Sequence, residues 1–282
     1  MGIKISVCGK GGSGKSTLTS LLAIAAQDKG LTTLVIDSDE SNSGLYRMLG
    51  VDTPPTPLMA LVGGREGMKD KMNQPTLLSE SKLVLEQIPY PYVHEKNGLR
   101  LLSIAKIHQA LEGCACPMGV LSREFLKKLR LGENEIAIVD MEAGIEHFGR
   151  GIDNSIDAVL VVVEPSYESI ALAGKIKELA SGINKKLWAV VNKISLQNLI
   201  DEIEAKLKSS GIETIGEISY DGSIFLCGLN GNTLEPGKSV RRAAKILDTL
   251  LPAKKNGNVG IVEPWVMEQC YNGFKEKKNL NQ

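Results

Sequence analysis

Short apolar runs alternate along the chain with longer stretches in which apolar residues recur at helical spacing. Ile3-Lys4-Ile5-Ser6-Val7-Cys8 opens it and reads as a buried strand. From Ser16 onward, Leu18, Leu21, Leu22, Ala25 and Ala26 share one helical face, and Gly30 stops the pattern. Leu31–Ile36 is the next predicted strand. Residues 53–80 then break the rhythm: they are rich in Pro, Gly and charge, carry helical fragments at Leu58–Val62 and Glu66–Met72, and read as an insertion over one face of a sheet. Further strands are predicted at Leu83–Ile88, Leu99–Ile104, Ile136–Val139, Ala158–Val163, Leu187–Val191 and Thr214–Ile218. Helices are predicted from Gly113-Cys114-Ala115-Cys116-Pro117 through Leu129, and at Tyr167–Ser181, Leu196–Ser209 and Val240–Leu251.

Continuous apolar strands joined by helical crossovers predict an α/β fold, a doubly wound, mostly parallel sheet with helices on both faces. The alternation persists to residue 251, so one α/β domain over 1–252 is expected. Residues 253–282 form an extension in which Val262, Trp265, Val266, Met267, Cys270, Tyr271 and Phe274 suggest an amphipathic helix, either packed on the domain or available to a membrane or a partner.

Ligands of such sheets sit beyond the carboxyl ends of the strands. Gly9–Thr17, Asp37, Asp39, Asp140 and Asn192 all fall at predicted strand ends, which points to a single site. Gly9-Lys10-Gly11-Gly12-Ser13-Gly14-Lys15-Ser16-Thr17 fits the phosphate-binding pattern G-x-x-x-x-G-K-[ST], in the strand–loop–helix context that the pattern requires. Backbone N–H groups of Gly11, Gly12, Ser13 and Gly14, aided by the helix N-terminus, are expected to cradle the phosphates of ATP or ADP. Lys15 is expected to reach the β- and γ-phosphates, Ser16 to hold Mg²⁺ and Thr17 to face the α-phosphate.

Charge narrows the partners. Lys plus Arg number 33 and Asp plus Glu 33, a formal net charge of zero, so no nucleic-acid partner is expected. No apolar run is long enough to span a bilayer, and the first strand begins without room for a signal peptide, so a cytoplasmic protein without a membrane partner is expected. Its five cysteines are then not expected to form structural disulfides. Cys8 reads as a small buried residue, and Cys227 and Cys270 as structural. Cys114-Ala115-Cys116 is different: two thiolates one residue apart give a metal only half of the four ligands that structural zinc takes. Two copies of the pair meeting on a two-fold axis would supply four sulfurs.

Lys10, directly after the first glycine, makes the loop resemble that of the deviant Walker A class of P-loop ATPases, which includes nitrogenase iron protein, the arsenite and tail-anchored-protein ATPases and the Min and Par partitioning ATPases. The resemblance implies a homodimer in which Lys10 crosses to the partner's nucleotide. It also implies that Asp37 supports Mg²⁺ and Asp39 positions the attacking water in switch I, although the pair could instead cap backbone N–H groups at a strand end. Asp140-Met141-Glu142-Ala143-Gly144 resembles switch II, with Asp140 on a Mg²⁺ water and the Gly144 backbone near the γ-phosphate. Val191-Asn192-Lys193 resembles the adenine-reading segment, with Asn192 on the base edge or else merely at a turn. Ser219-Tyr220-Asp221 lies where the class has its second base-flanking loop, so Tyr220 and Asp221 join the nucleotide set.

The loop, the Met59–Lys71 insertion, the C-x-C pair and Asp140-Met141-Glu142-Ala143-Gly144-Ile145-Glu146-His147 occur in one order that is similar to the CooC-type ATPases, the nickel-insertion factors of carbon monoxide dehydrogenase. That narrower resemblance implies Ni²⁺ or Zn²⁺ on Cys114 and Cys116 at the dimer interface. A tetrahedral site would favour zinc and a planar one nickel. It also implies carbon monoxide dehydrogenase or a related nickel enzyme as partner. Glu40 departs from the pattern, standing where the family has proline. His147 has no assigned role. Two other readings fit the same residues: a membrane-associated positioning ATPase of the Min/Par type, and a non-catalytic metal or iron–sulfur carrier whose dimer nucleotide stabilises. All three share the phosphate loop. Lys15→Ala is expected to abolish ATP binding or turnover, measured by titration with a fluorescent nucleotide and by phosphate release.

Overall fold

The computed structural model describes residues 2–40, 44–64, 80–106, 116–144, 155–196 and 198–251, with the side chains of 116 and 117 excepted. By internal contacts the chain divides into Met1–Leu251 and Pro252–Gln282, and every described residue belongs to the first unit. The expected helix at Glu66–Met72, the 253–282 extension, Cys114, Cys270 and His147 lie outside the described residues.

Eight strands form one sheet in the order β3-β4-β2-β5-β1-β6-β7-β8. They are β1 Ile3–Gly9, β2 Thr32–Asp37, β3 Val93–Lys96, β4 Leu99–Ser103, β5 Glu135–Asp140, β6 Ala158–Val163, β7 Leu187–Ile194 and β8 Glu213–Ser219. All neighbours are parallel except β3 and β4. The helices are α1 Lys15–Asp28, α2 Leu45–Met48, α3 Cys116–Lys128, α4 Tyr167–Gly182, α5 Asn198–Ser209, α6 Gly222–Asn230 and α7 Lys238–Leu250.

Strand alternation sorts the apolar residues into two layers. Ile5 and Val7 of β1, with Leu160 and Val162 of β6, face α1 and α7 through Leu18, Leu22, Val240, Ala243 and Leu247. Cys8, Val159 and Val161 point the other way, with Phe125 of α3, Ile176 of α4 and Leu207 of α5. The sheet is thus covered on both faces, which is why its strands read as unbroken apolar runs. β1 lies between β5 and β6, and the chain crosses from one side of it to the other between those two strands. That makes the end of β1 the topological switch point, where such sheets open a crevice.

Three expectations change. Leu83–Ile88 is not a strand: Leu83 makes a lone bridge to Leu129, and a short 3-10 turn follows at Leu85–Gln87. Its apolar alternation was real burial, with Leu83 and Leu85 buried and Val84 exposed, but the Gln87 side chain accepts from the Val84 N–H and closes a turn. The strand beside β4 is the hairpin partner Val93–Lys96, turned through Asn97 and Gly98, both at positive φ. β7 runs on through Asn192-Lys193 to Ile194, with a register shift against β8 at Lys193. α6 went unread because none of its residues is buried, so it lacks an amphipathic stripe.

Lys4 ties β1 to the helix that Cys116 opens. Its buried ammonium donates to the carbonyls of Leu126 (2.7 Å) and Leu129 (2.8 Å) at the end of α3, where helix carbonyls lack intrahelical partners. Lys4→Met is expected to lower stability by about 1–3 kcal/mol, the cost of leaving such groups unsatisfied, read as a lower urea midpoint.

Candidate functional site

β1 ends in a loop that only glycine can trace. Gly9 has φ 144°, and a Cβ there would stand 2.7 Å from the Val162 carbonyl oxygen. Gly14 has φ 96°, and a Cβ would meet the Asn192 Nδ2 at 2.2 Å. α1 then starts with no side-chain cap and no acidic residue in its first turn. α4 and α6 differ: Ser166 and Asp221 accept from the N–H groups of Ser169 and Ser223. α1 alone of these three leaves its N-terminal dipole to an outside anion, the arrangement that binds phosphate.

Asn192 holds the loop from the side, donating from Nδ2 to the Ser13 carbonyl at 2.8 Å. The next residue, Lys193, donates to the Gly12 carbonyl. Lys193 is the bulged residue of β7: Asn192 pairs with Ile218 and Ile194 with Ser219, and Lys193 itself has φ 60°. The amide nitrogen of Asn192, expected on a base edge, is therefore engaged with the phosphate loop. Tyr220 is exposed at 57 %, and its backbone N–H donates to Ile194. Asp221 spends its carboxylate on Ser223 and on the Ser239 hydroxyl, and these bonds, Ser223's foremost, hold it below the usual carboxylate range.

Lys15 is buried and donates to the Lys10 carbonyl at 3.3 Å. Below it lie two carboxylates on neighbouring strands, Asp37 and Asp140, directly paired in register. Asp140 is fully buried. Burial pushes its carboxyl up to about 7, against a hydrogen bond from Ser16, while Asp37 adds to the rise and Lys15 opposes it. Thr19 donates to Oδ1 at 3.4 Å, and Oδ2 has no hydrogen-bond partner among the described residues. Burial also pushes Asp37 up to about 6, against the attraction of Lys106. The backbone N–H of Asp39 donates to Asp37 Oδ1 at 3.2 Å.

A magnesium-bound nucleotide fits these residues. The uncapped helix and glycine loop suit phosphate, and a buried carboxylate oxygen without a partner, beside a serine hydroxyl and a second carboxylate, suits a hydrated cation. Among the described residues no group of three or more His, Cys, Asp and Glu is gathered as a metal site. Cys114 and the Cys116 side chain, the pair expected to hold Ni²⁺ or Zn²⁺, lie outside the described residues. Among the described residues no helix is long and apolar enough to cross a membrane. Cys8 is buried as expected, its thiol pushed up to about 12 by burial.

Two residues at the site escaped the sequence reading. Lys106 binds Asp37 Oδ2 at 2.7 Å and donates to the Asp39 carbonyl, so it grips the stretch expected to be switch I at two points. Glu164 receives Lys10 at 3.1 Å and Lys193 at 3.3 Å, one on each oxygen. Both follow the carboxyl ends of strands, β4 and β6, the rule that had already selected Asp37, Asp140 and Asn192. Between the two points held by Lys106, the Ser38 hydroxyl lies 3.3 Å from that of Ser122 on α3.

Residues 5–234 match the family of CobQ/CobB/MinD/ParA nucleotide binding domains. The chain is 45% identical over 238 residues to an uncharacterised ATP-binding protein of Methanocaldococcus jannaschii, covering 82% of this chain and 94% of that one. It is 30% identical over 230 residues to the carbon monoxide dehydrogenase accessory protein CooC of Rhodospirillum rubrum, covering 79% of this chain and 85% of that one. In fold it is similar to the septum site-determining protein MinD of Pyrococcus horikoshii, solved with Mg-ADP, at a TM-score of 0.65 and 17% identity, covering 89% of this chain and 96% of that one.

The buried aspartates have a signed consequence. Asp140 takes up its proton near pH 7 in the folded, nucleotide-free chain but near 3.8 when free, so the native state binds more protons between those values and loses stability as pH rises through them. Asp140→Asn removes that contribution. Urea unfolding without Mg²⁺ or nucleotide is expected to find the variant gaining on the native chain from pH 4.5 to pH 7, a trend that parallel curves would contradict.

Proposed function

The chain belongs to the CobQ/CobB/MinD/ParA family of nucleotide-binding domains and is a P-loop ATPase, and on that premise we propose that it works as a homodimeric metallochaperone that delivers nickel to carbon monoxide dehydrogenase or a related nickel enzyme. The observation that carries the reading is the contact between Ser38, in the middle of switch I, and Ser122 of α3, the helix that Cys116 opens. A change in the Asp37–Asp39 stretch can thereby be felt by the helix that begins at Cys116. The similarity to CooC supports the cargo.

Each residue then has a task that its position supports. The glycine loop and the α1 N-terminus bind the phosphates, and Lys15 offsets charge at the β- and γ-oxygens. Ser16, Asp37 and Asp140 hold the magnesium side. Magnesium, when bound, supplies neutralising charge on the phosphates. Asp39 orients water in line with the γ-phosphoryl group. Lys10 serves the partner's nucleotide as arginine fingers do elsewhere, where they contribute about 10³–10⁵ in rate. Tyr220 and Asp221 border the base. Hydrolysis removes the group that holds switch I, and the dimer changes the geometry at its paired Cys114 and Cys116 thiolates, releasing the Ni²⁺ or Zn²⁺ that they share.

The test is metal analysis with size measurement, with and without ATP, on the full chain and on a Cys114→Ser/Cys116→Ser variant. The native chain is expected to carry a thiolate-bound ion shared by two copies, and the variant to lose the ion while still binding ATP. A native chain that stays metal-free and monomeric in every condition would sink the reading.

A further inference from the structure

Lys10 is engaged within its own chain. Its ammonium lies 3.1 Å from Glu164 Oε1, and the other oxygen of that carboxylate lies 3.3 Å from Lys193. Lys193 also donates to the Gly12 carbonyl, so the network is fastened to the phosphate loop itself. The fold builds this arrangement at some cost. Lys193 is a non-glycine residue at φ 60°, on a bulge that aims its side chain at the loop. Burial opposes ionisation of Glu164, yet the bonds from Lys10 and Lys193 outweigh it and hold the carboxyl below the usual range.

Two lysines on one carboxylate make an exchange inexpensive. Removing the only partner of a half-buried charge leaves that charge uncompensated. Here Lys193 stays on Glu164 when Lys10 leaves, so no charge is stranded. Lys10 is also the more readily released, because Lys193 has a second bond in the loop and no second bond is recorded for the Lys10 ammonium among the described residues. Its side chain is 38 % exposed, within reach of a second molecule.

We infer that Glu164 is the positioning residue of Lys10: it holds the lysine in cis in the single chain, with Lys193 as the standing counter-ion, and surrenders it to the partner's nucleotide when two copies meet. The inference rests on the reading of Lys10 as a cross-subunit group. Glu164 then sets the protein concentration at which the dimer becomes active, and leaves the rate of the assembled dimer unchanged.

The experiment is steady-state phosphate release by the full chain across protein concentration, at saturating Mg-ATP. Glu164→Gln is expected to reach half its plateau at about fivefold lower protein concentration than the native chain, the equivalent of about 1 kcal/mol per dimer, or about 0.5 kcal/mol for each of its two partly exposed ion pairs. Its plateau rate and its ATP affinity at low protein concentration should match the native values. Glu164→Asp, which keeps the charge, should stay within about twofold of native, a rescue that a purely steric role would not produce. An unchanged or higher half-maximal concentration for Glu164→Gln overturns the inference, as does a loss of ATP affinity, which would make Glu164 a prop of its own loop. Lys10→Ala separates the two levels. Native turnover in that variant defeats the cross-subunit reading itself, whereas lost turnover beside an unshifted Glu164→Gln defeats the role of Glu164 alone.

Discussion

Asp37 and Asp140 stand side by side on neighbouring strands, out of water, where two negative charges repel far more strongly than at a surface. Burial itself costs the pair most, and much of the site can be understood as the containment of that cost. Lys106 stands against Asp37, Lys15 stands above Asp140, and the hydroxyls of Ser16 and Thr19 reach Asp140 from the first turns of α1. What containment remains undone, the Asp140 Oδ2 without a partner among the described residues, is what a hydrated cation would complete. The pair is costly without a ligand and comfortable with one, which is how a site comes to sense what occupies it.

Lys106 carries that sensitivity outward. By holding the Asp37 carboxylate and the Asp39 carbonyl with one ammonium, it makes switch I a clamped strand end. The Ser38 hydroxyl lies against that of Ser122 on α3. Lys4 secures the far end of the same helix to β1, the strand that feeds the phosphate loop. α3 is thus held at one end to the loop's strand and part-way along to the switch.

The sheet was legible because both its faces are covered, so seven of the eight strands announced themselves as apolar runs. The eighth, the hairpin strand β3, gave no such run, and Leu83–Ile88, expected as a strand, had the right alternation and the wrong geometry: a Gln87 side chain closed a turn that periodicity does not register. α6 was invisible for the opposite reason, since a helix with no buried residue has no stripe to read. At the site, the motif named the phosphate loop and strand ends named the carboxylates. Lys106 and Glu164 sat at strand ends too. A lone lysine or glutamate there carries no motif, and only the folded chain joins each to a partner far along the sequence. Asn192 lies two residues inside the end of β7, and which of its neighbours its amide would serve depends on loop geometry.

The bulge in β7 concerns parity. In a regular strand consecutive residues face opposite sides of the sheet, so Asn192 and Lys193 could not both serve the same loop. One unpaired residue suspends that rule for a single step, and two adjacent side chains take hold of two adjacent carbonyls, Ser13 and Gly12. Restoring regular pairing here would change the length of the strand by one residue and return one of the two to the far side. The grip on the phosphate loop is therefore encoded in the count of residues between β6 and β8 as much as in their identity, and an insertion or deletion in β7 would alter it even if every motif residue were kept.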